Sequence, residues 1–340
     1  MAEGEKKPVY HFLVNPAAAN GRGKKVWHRT EHALLEKSVR YECVFSKSAA
    51  HLAEAVSRLA AHDNVRLVVI GGDGTLSQVV NAIADFSRVR LGYIPAGSGN
   101  DFARSLDLPK DPAVILDAIL EDRIVRRLDV GTLSSLPEED RAQTDTAAQD
   151  NAAQQTEAAT RPDDPPAPRR FIVSAGIGFD AAVCEGVDRS RVKRILGRVG
   201  LAKLSYLFIA LKIVFGLKKS AATLLLNGHD TIDLRSMMFT AMMIQRFEGG
   251  GFQFAPEADS SDGRFDLCIA GDISVPKFLF ALPKAKKGTH FSVNGVDHAI
   301  ASFVEIRTDM PQWVHADGEV ITRSSHITLG CAQGILQMMH

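Results

Sequence analysis

The chain has 340 residues, 45% of them apolar and 24% charged, which is the balance of a soluble globular protein. A chain of this length favours two domains over one. Lysine plus arginine and aspartate plus glutamate both number 40, so the net charge indicates no nucleic-acid partner. The four scattered cysteines form no C-x-x-C pair, which predicts buried thiols rather than a disulfide or zinc framework.

Neither a secretory signal nor a membrane span is expected. The N-terminal stretch MAEGEKKPVYHFLVNP has no apolar run of secretory length. The longest apolar stretch, residues 204–217, is shorter than the ~20 residues that a span needs, and it contains Lys212. We therefore expect a cytoplasmic protein.

Residues 1–126 alternate between strand and helix patterns. We predict strands at 9–14, 41–46, 65–70 and 90–95, and helices at 23–38, at 49–62, from near Leu76 and at 111–122. Strands that alternate with helices of about 10–15 residues predict a parallel sheet with helices on both faces. Residues 326–340 are apolar enough to return and complete this α/β domain.

The pattern becomes β-rich after Arg126, and we predict a second domain at 127–325. Residues 126–133 and 169–177 look like antiparallel partners, and short aliphatic strands follow at 222–228, 235–244, 264–271 and 303–309. Residues 135–168 are rich in Ala, Gln, Asp and Pro, which predicts a disordered insertion within this domain.

The motif GGDGT, residues 71–75, follows the third predicted strand and precedes a helix. In an open parallel sheet, ligands bind beyond the carboxyl ends of the strands, and a helix N-terminus favours phosphate. The glycines allow close backbone approach, while Thr75 can cap the helix and donate to a phosphate oxygen. Asp73 would repel a phosphate unless a cation bridges the two, which predicts Mg²⁺. The alternative is a tight turn with Asp73 bonded only to its own backbone.

Two further glycine turns follow other strands of the same sheet. NPAAANGRG occupies residues 15–23, and PAGSGND occupies residues 95–101. None of the three turns has the spacing of a Walker A loop or of the Rossmann fingerprint. The sequence therefore predicts a phosphate site built from several loops.

GGDGT together with PAGSGNDFAR resembles the diacylglycerol kinase catalytic domain family, which includes bacterial lipid kinases and sphingosine and ceramide kinases. GGDGT alone is shared with NAD kinases and phosphofructokinases, and the second motif separates the lipid kinases from them. The resemblance continues through AGIGFDAAV at 175–183, FAPEADSSDGRFDL at 254–267 and HADGEVI at 315–321. It covers nearly the whole chain apart from the insertion.

The resemblance implies a nucleotide-binding α/β domain like that of NAD kinases and phosphofructokinases, an all-β sandwich substrate domain, and an active site in the cleft between them. It implies that ATP is bound by Asn15, Pro16, Ala17, Ala18, Ala19, Ser46, Gly71, Gly72, Asp73, Gly74, Thr75, Leu76, Ser77, Gly97, Ser98 and Asn100. Ser77 and Gln78 depart from the Asn-Glu pair usual in the family, which removes a charge beside the phosphate loop.

The same resemblance implies the roles of several acidic residues. Asp73 would belong to the Mg²⁺ network, and either Asp317 or Glu319 would be the general base towards the lipid hydroxyl. Asp101 and Asp180 would face the acceptor. From the residues alone, the D-G-E stretch could also be an ordinary hairpin tip.

A second, structural Mg²⁺ is implied in the SSDGRF stretch. Asp262 would bind this ion, assisted by backbone carbonyls near Asp259 and Arg264. Asp262-Gly263 is also a turn signal in its own right.

Residues 189–219 form a basic, apolar segment with nine lysines or arginines, and no acidic residue occurs between Asp188 and Asp230. A basic amphipathic helix can lie on an anionic membrane surface. The alternative is a helix packed on the second domain with its lysines in water.

Taken together, these features predict an ATP- and Mg²⁺-dependent lipid kinase, peripherally bound to the membrane, that converts diacylglycerol to phosphatidic acid. The alternatives are kinases of sphingoid, ceramide or other lipid alcohols, then an NAD kinase, then a non-catalytic nucleotide- or lipid-binding relative. The sequence leaves the oligomeric state open, a homodimer included.

Overall fold

The computed structural model describes residues 8–121, 125–135, 168–189 and 219–339, together with Val214 and Gly216. Most of the predicted insertion at 135–168 and of the basic segment at 189–219 lies outside the described residues. Both interpretations therefore stay predictions.

The first domain confirms the predicted alternation of strands and helices. Its elements are β1 (Val9–Val14), α1 (Ala18–Glu36), β2 (Arg40–Phe45), α2 (Ala49–Ala60), β3 (Val65–Gly71), α3 (Asp73–Ala82), β4 (Val89–Pro95), α4 (Asp101–Ser105) and α5 (Pro112–Glu121). The strands pair in parallel in the order β4-β3-β1-β2. The short helix α4 was not predicted.

Helices cover both faces of this parallel sheet. Strand β3 is aliphatic at successive positions because its side chains alternate between two buried faces. Leu67 and Val69 pack into the core formed with α2 and α3, whereas Val68 and Ile70 pack into the core formed with α1 and α5.

The second domain is β-rich, as predicted, but the expectation that it is all-β was wrong, because helices of 11 residues lie among its described residues. Its elements are β5 (Val125–Ser135), β6 (Arg169–Phe171), β7 (Ser174–Gly178), α6 (Phe179–Arg189), β8 (Ser220–Leu226), β9 (Asp230–Met243), β10 (Phe265–Gly271), α7 (Val275–Ala285), β11 (Val296–Ala301), β12 (Phe303–Ala316) and β13 (Glu319–Met339). Strands β5 and β6 pair antiparallel, which confirms the predicted partnership.

Two long strands close the second domain around its core. Strands β9 and β12 have 14 residues each, and each pairs with β7 near one end and with β8 near the other. The four strands thus form a closed ring of pairings that encloses one apolar core.

The last strand joins the two domains. Strand β13 pairs antiparallel with β12 and β5, and near its end Gln337 and Met338 pair in parallel with β4. Leu336 and Met338 pack into one core of the first domain, and Met339 packs into the other. The sheet therefore continues from one domain into the next.

Within the described ranges, no helix combines the length and apolarity needed to cross a membrane. The four cysteines lie within the described ranges and form no disulfide, and Cys268 is buried whereas the other three are half-buried.

Candidate active site

The loops predicted to hold phosphate meet at one edge of the parallel sheet, where β1, β2, β3 and β4 end. The side-chain amide of Asn15 donates to Thr75 Oγ1 at 3.0 Å, which ties the first loop to the GGDGT turn. The N–H of Ser46 donates to the carbonyl of the last residue of β1 at 2.8 Å, and that of Ala96 donates to the Gly71 carbonyl at 2.7 Å. The loops after all four strands are thus bound to one another or to a neighbouring strand.

Two glycines let the second and third loops touch. A Cβ atom on Gly97 would lie 2.6 Å from the Cα of Gly72, so only backbone fits between the loops. Asn100 has left-handed φ of 52°, and its side chain bonds to both the N–H and the carbonyl of Gly97, at 2.9 and 3.1 Å. The PAGSGND turn is therefore closed by its own asparagine, with Ser98 exposed at the tip.

The first loop is a compact turn with unusual backbone angles. Asn15 Oδ1 accepts the N–H of Ala17 at 3.1 Å, and Ala19, Asn20 and Gly21 all have positive φ. The turn spans the predicted Asn15-to-Ala19 stretch, including Pro16 and Ala18, and regular helix begins only after it.

Helix α3 begins at Asp73, three residues before the predicted start near Leu76. The prediction that Thr75 caps this helix was wrong, because Gly72 is the N-cap residue and Thr75 lies inside the first turn, where its hydroxyl accepts from Asn15. The first N–H groups of any helix lack intrahelical acceptors, so this turn still offers donors to an anion.

Two residues predicted to bind ATP are buried under the loop. The Leu76 side chain packs in the core, so only its backbone is available to a ligand. The Ser77 hydroxyl is buried and faces Asp317, and it lowers the pKa of that carboxyl. No described residue lies in full hydrogen-bond geometry with the Ser77 hydroxyl. Ser77 thus points to the second domain.

Asp73 uses its carboxylate to hold the start of α4. It accepts the N–H of Asp101 at 3.0 Å and that of Phe102 at 3.3 Å, so it is not bonded only within its own turn. Burial raises the pKa of Asp73 to about 6, the two N–H groups oppose this, and the carboxylates of Asp101 and Asp317 add to it. The pKa of Asp73 therefore responds to carboxylates of both domains.

Asp101 connects the two domains. Its buried carboxylate pairs with Arg104 and accepts the N–H of Gly250 at 2.6 Å. Next to this contact, Arg246 pairs with Asp107 at 2.7 Å across the domains. The resemblance assigned Asp101 to the acceptor, and in the structure its oxygens are engaged by protein groups.

Asp317 and Gly318 form the two-residue turn between β12 and β13. Both have positive φ, 49° and 76°, as a tight hairpin of this kind requires. The Asp317 carboxylate folds back and accepts the N–H groups of Ile172, Val173 and Ser174 at 2.8 to 3.3 Å. Burial raises the pKa of Asp317, and these N–H groups oppose the change.

Glu319 opens β13 in a different environment. Its side chain is 56% exposed and forms an ion pair with Arg169. The two acids of the D-G-E stretch are therefore not equivalent, because one is engaged by backbone and the other reaches solvent.

Asp180 belongs to a buried group that the sequence did not reveal. Its Oδ2 lies 3.1 Å from His315 Nε2, and Glu248 Oε1 lies 3.5 Å from the same nitrogen. His315 is completely buried, and a Cβ atom on Gly176 would collide with both Asp180 and His315. Ser174 Oγ and Glu248 Oε2 are buried nearby without a hydrogen-bond partner among the described residues.

Glu248 and His315 shift each other's pKa values. Burial raises the pKa of Glu248 to about 7, against the effect of His315. Burial alone lowers the pKa of His315, but Asp180 and Glu248 outweigh it and raise that pKa to about 9. The N–H of Gly318 approaches His315 Nδ1 at 3.3 Å, and this nitrogen can accept a hydrogen bond only when the ring is neutral. Because the contact is long and two carboxylates face the ring, we assign His315 the charged form.

The predicted structural metal site lies in the loop before β10. Asp262 accepts the Arg264 N–H at 3.0 Å and pairs with the Arg264 guanidinium at 3.2 Å, while Asp259 bonds to Ser261. The buried Asp129, which was not predicted, accepts the N–H of Gly263 at 2.7 Å. Burial raises the pKa of Asp129, and Asp262 and Asp259 add to this.

Among the described residues, no group of three or more His, Cys, Asp or Glu side chains has the geometry of a metal centre. A cation at Asp262 would compete with the Arg264 guanidinium, so the arrangement fits such an ion poorly. The second magnesium site remains a prediction.

Two family models match the chain and together leave out only its first residues and residues 134–171. The model of the diacylglycerol kinase catalytic domain matches residues 9–133, and that of the YegS C-terminal NAD kinase beta sandwich-like domain matches residues 172–340. The chain belongs to the diacylglycerol kinase family of lipid kinases.

Individual relatives are distant but cover most of the chain. The protein named "Putative lipid kinase YtlR" of Bacillus subtilis is 27% identical over 92% of this chain and 93% of its own length. "Diacylglycerol kinase" of Mycobacterium tuberculosis is 26% identical over 90% of this chain and 87% of its own length. A crystal structure of a "putative diacylglycerol kinase" from Bacillus anthracis has a TM-score of 0.70 at 19% identity, covers 98% of this chain and 97% of its own, and shows the shared fold.

Proposed function

We propose that this chain is an ATP- and Mg²⁺-dependent lipid kinase that phosphorylates the hydroxyl of diacylglycerol to give phosphatidic acid. One observation carries the proposal: Asp73 in the glycine-rich loops holds Asp101, and Asp101 accepts the N–H of Gly250 of the second domain at 2.6 Å. A kinase needs its phosphate-binding loops and its acceptor-side acids at one place, and the two domains meet at these residues.

The glycine loops are suited to the phosphates of ATP. The Gly72–Gly97 contact exposes backbone rather than side chains, and the first turn of α3 supplies N–H donors. Asp73 is the acid of these loops that would hold Mg²⁺ beside the phosphates of ATP, because Arg104 and backbone N–H groups engage the carboxylates of Asp101 and Asp317. When bound, the ion neutralises charge on the phosphates.

We assign the general base to Glu319 and a positioning role to Asp317. Three N–H groups engage the Asp317 carboxylate, which leaves its oxygens little room for a hydrogen bond from a lipid hydroxyl. The exposed Glu319 carboxylate is oriented by Arg169 and is free to approach a hydroxyl entering the cleft. A carboxylate within hydrogen-bond reach can take the hydroxyl proton as the phosphate is transferred.

Diacylglycerol is proposed as the acceptor because curated relatives from Mycobacterium tuberculosis and Bacillus subtilis carry the name diacylglycerol kinase. We also propose that the protein is cytoplasmic and binds the membrane peripherally, since such an acceptor stays in the bilayer.

The test is ATP consumption with Mg²⁺ in detergent micelles that carry diacylglycerol, a sphingoid base, ceramide, phosphatidylglycerol or a polyprenyl alcohol, with NAD⁺ as a water-soluble acceptor. We expect turnover with diacylglycerol. In Asp73→Asn, kcat should fall by about 100-fold or more, because the variant removes a charge from the proposed cation site.

Asp63→Asn is the matched control, because it removes an 87% exposed carboxylate elsewhere in the same domain. It should retain wild-type turnover. Turnover with NAD⁺ alone would replace the proposal with an NAD kinase, and ATP binding without turnover on any acceptor would favour a non-catalytic relative.

A further inference from the structure

Helix α7 presents a basic and aromatic face to solvent. In the sequence, residues 273–296 contain four lysines and no acidic residue. Phe278, Ala281 and Ala285 face the core, so the helical period places Lys277 and Phe280 on the outer side.

The outer face combines an exposed ring with positive charge. Phe280 is 64% exposed, and the Lys284 ammonium lies 5.3 Å from the centre of its ring. Lys277 and Lys287 are also exposed. A single exposed aromatic residue is common on protein surfaces, but one flanked by lysines has the composition of a helix that lies in a membrane interface.

The end of α7 is connected to the candidate active site. Lys286, one residue beyond the helix, donates to the Gly250 carbonyl at 2.9 Å. The N–H of Gly250 in turn donates to Asp101 at 2.6 Å. A bilayer in contact with α7 would therefore lie near the acidic residues at the junction of the domains.

The start of α7 lies beside the described part of the basic segment at 189–219. Lys219 donates its ammonium N–H to the Ile273 carbonyl, and Val214 packs in the same apolar cluster as Phe278. Lys219 and Val214 thus lie beside the start of α7.

We propose that α7 docks the protein on an anionic lipid bilayer, with Phe280 in the interfacial layer and with Lys277 and, just beyond the helix, Lys287 against lipid phosphates. The proposal rests on the proposed lipid kinase function, because a lipid acceptor has to be reached at a membrane surface. A second copy of the chain is a poorer occupant, since a symmetric contact would set these lysines against each other. A bilayer satisfies both the apolar ring and the charge.

The experiment is sedimentation of the full chain with phosphatidylcholine vesicles, with and without phosphatidylglycerol, in the absence of ATP. Phe280→Ala should weaken binding to the anionic vesicles about threefold to tenfold, and the double variant Lys277→Glu, Lys287→Glu should weaken it by about tenfold or more. Raising the salt should weaken wild-type binding.

Two matched controls lie on the first domain. Leu35→Ala truncates a 65% exposed apolar residue, and Arg58→Glu reverses an exposed charge on α2. Both should bind vesicles as the wild type does. Turnover of a short-chain, water-dissolved diacylglycerol should be the same in Phe280→Ala as in the wild type, which would show an intact site.

The proposal would be overturned if Phe280→Ala and the double lysine variant bound anionic vesicles as strongly as the wild type does. It would also be overturned if the wild type bound neutral and anionic vesicles equally. If the wild type dimerises, and Phe280→Ala disperses the dimer with vesicle binding unchanged, the face is a self-association surface instead. A wild type that does not turn over dissolved diacylglycerol would count against the proposed function, while vesicle binding would still decide the docking proposal.

Discussion

Two groups of acidic side chains are buried where the domains meet, and they differ in the groups that face them. The carboxylates of Asp73 and Asp317 accept backbone N–H groups, whereas those of Asp180 and Glu248 face the ring of His315. A peptide N–H keeps its proton near neutral pH, but an imidazole and a carboxyl group exchange theirs. The first group therefore fixes backbone position, although burial also raises the pKa of Asp73 to about 6, whereas the second group places carboxylates against an imidazole.

Asp73 and Asp317 each hold a neighbouring segment of backbone in place. Asp73 holds the start of α4, and Asp317 holds the segment between β6 and β7. Changing either acid should disturb backbone position, whereas changing Glu248 should alter the dependence of stability on pH.

The largest expected effect separates the two acids of the D-G-E stretch. Glu319→Gln should lower kcat by about 100-fold, because it removes the proposed base, and should leave the thermal midpoint nearly unchanged. Asp317→Asn should lower kcat too, but also the free energy of unfolding by about 1–3 kcal/mol, because three N–H groups lose a charged acceptor. Thermal unfolding and micelle assays on both variants provide the comparison.

Equal loss of stability in the two variants would contradict the distinction drawn between Asp317 and Glu319. Full activity in Glu319→Gln would move the role of base to another group, with Asp317 the first to examine.

The next effect concerns pH. The folded-state pKa values of Glu248, about 7, and of His315, about 9, both lie above their ordinary values. Stability from these protons is fully present at low pH and is lost as the pH rises through 7 and then 9. The free energy of unfolding should therefore fall by about 1–3 kcal/mol between pH ~6 and ~9.

Glu248→Gln should flatten this decline, since it removes one of the two groups and weakens the charge that favours protonated His315. Urea unfolding at several pH values gives the slope. Glu54→Gln, at an exposed position on α2, is the control and should keep the wild-type slope. An unchanged slope in Glu248→Gln would show that the buried group does not exchange protons in this range.

The smallest expected effect is the change in stability when the buried Ser174 hydroxyl is removed. Because this oxygen has no hydrogen-bond partner among the described residues, Ser174→Ala should change stability by no more than about 1 kcal/mol near neutral pH. A large loss of stability in Ser174→Ala would mean that the hydroxyl is satisfied in solution.

Much of the fold followed from local patterns. The strand predicted at 9–14 matches β1, and the strand predicted at 65–70 lies within β3. Both predictions succeeded because continuous aliphatic runs between glycine or proline turns are typical of a buried parallel sheet. The start of α3 was misplaced because the glycines of GGDGT suggested a loop, whereas the helix already includes Asp73 and Gly74. Helix α4 was missed because five residues carry too little periodicity.

In the candidate site, too, some features could be predicted from local sequence and others could not. The sequence by itself determined the glycine turns, since turn chemistry is a property of a few neighbouring residues. The roles of Asp73, Asp317 and Glu319 are implied by the family resemblance and stay predictions. His315 stands in the same HADGEVI stretch, two positions before Asp317, and that position is a signal that could have drawn attention to it.

Only the tertiary structure decided which acids meet. Glu248 comes from a loop, Asp180 from the start of α6 and His315 from β12, and their contacts depend on the pairing of β7 with both β9 and β12. The same holds for Asp129 beside Asp262, and for the different surroundings of Asp317 and Glu319. Contacts between residues far apart in the chain, and the burial that shifts a pKa, arise only when the strands pair, so no local pattern encodes them.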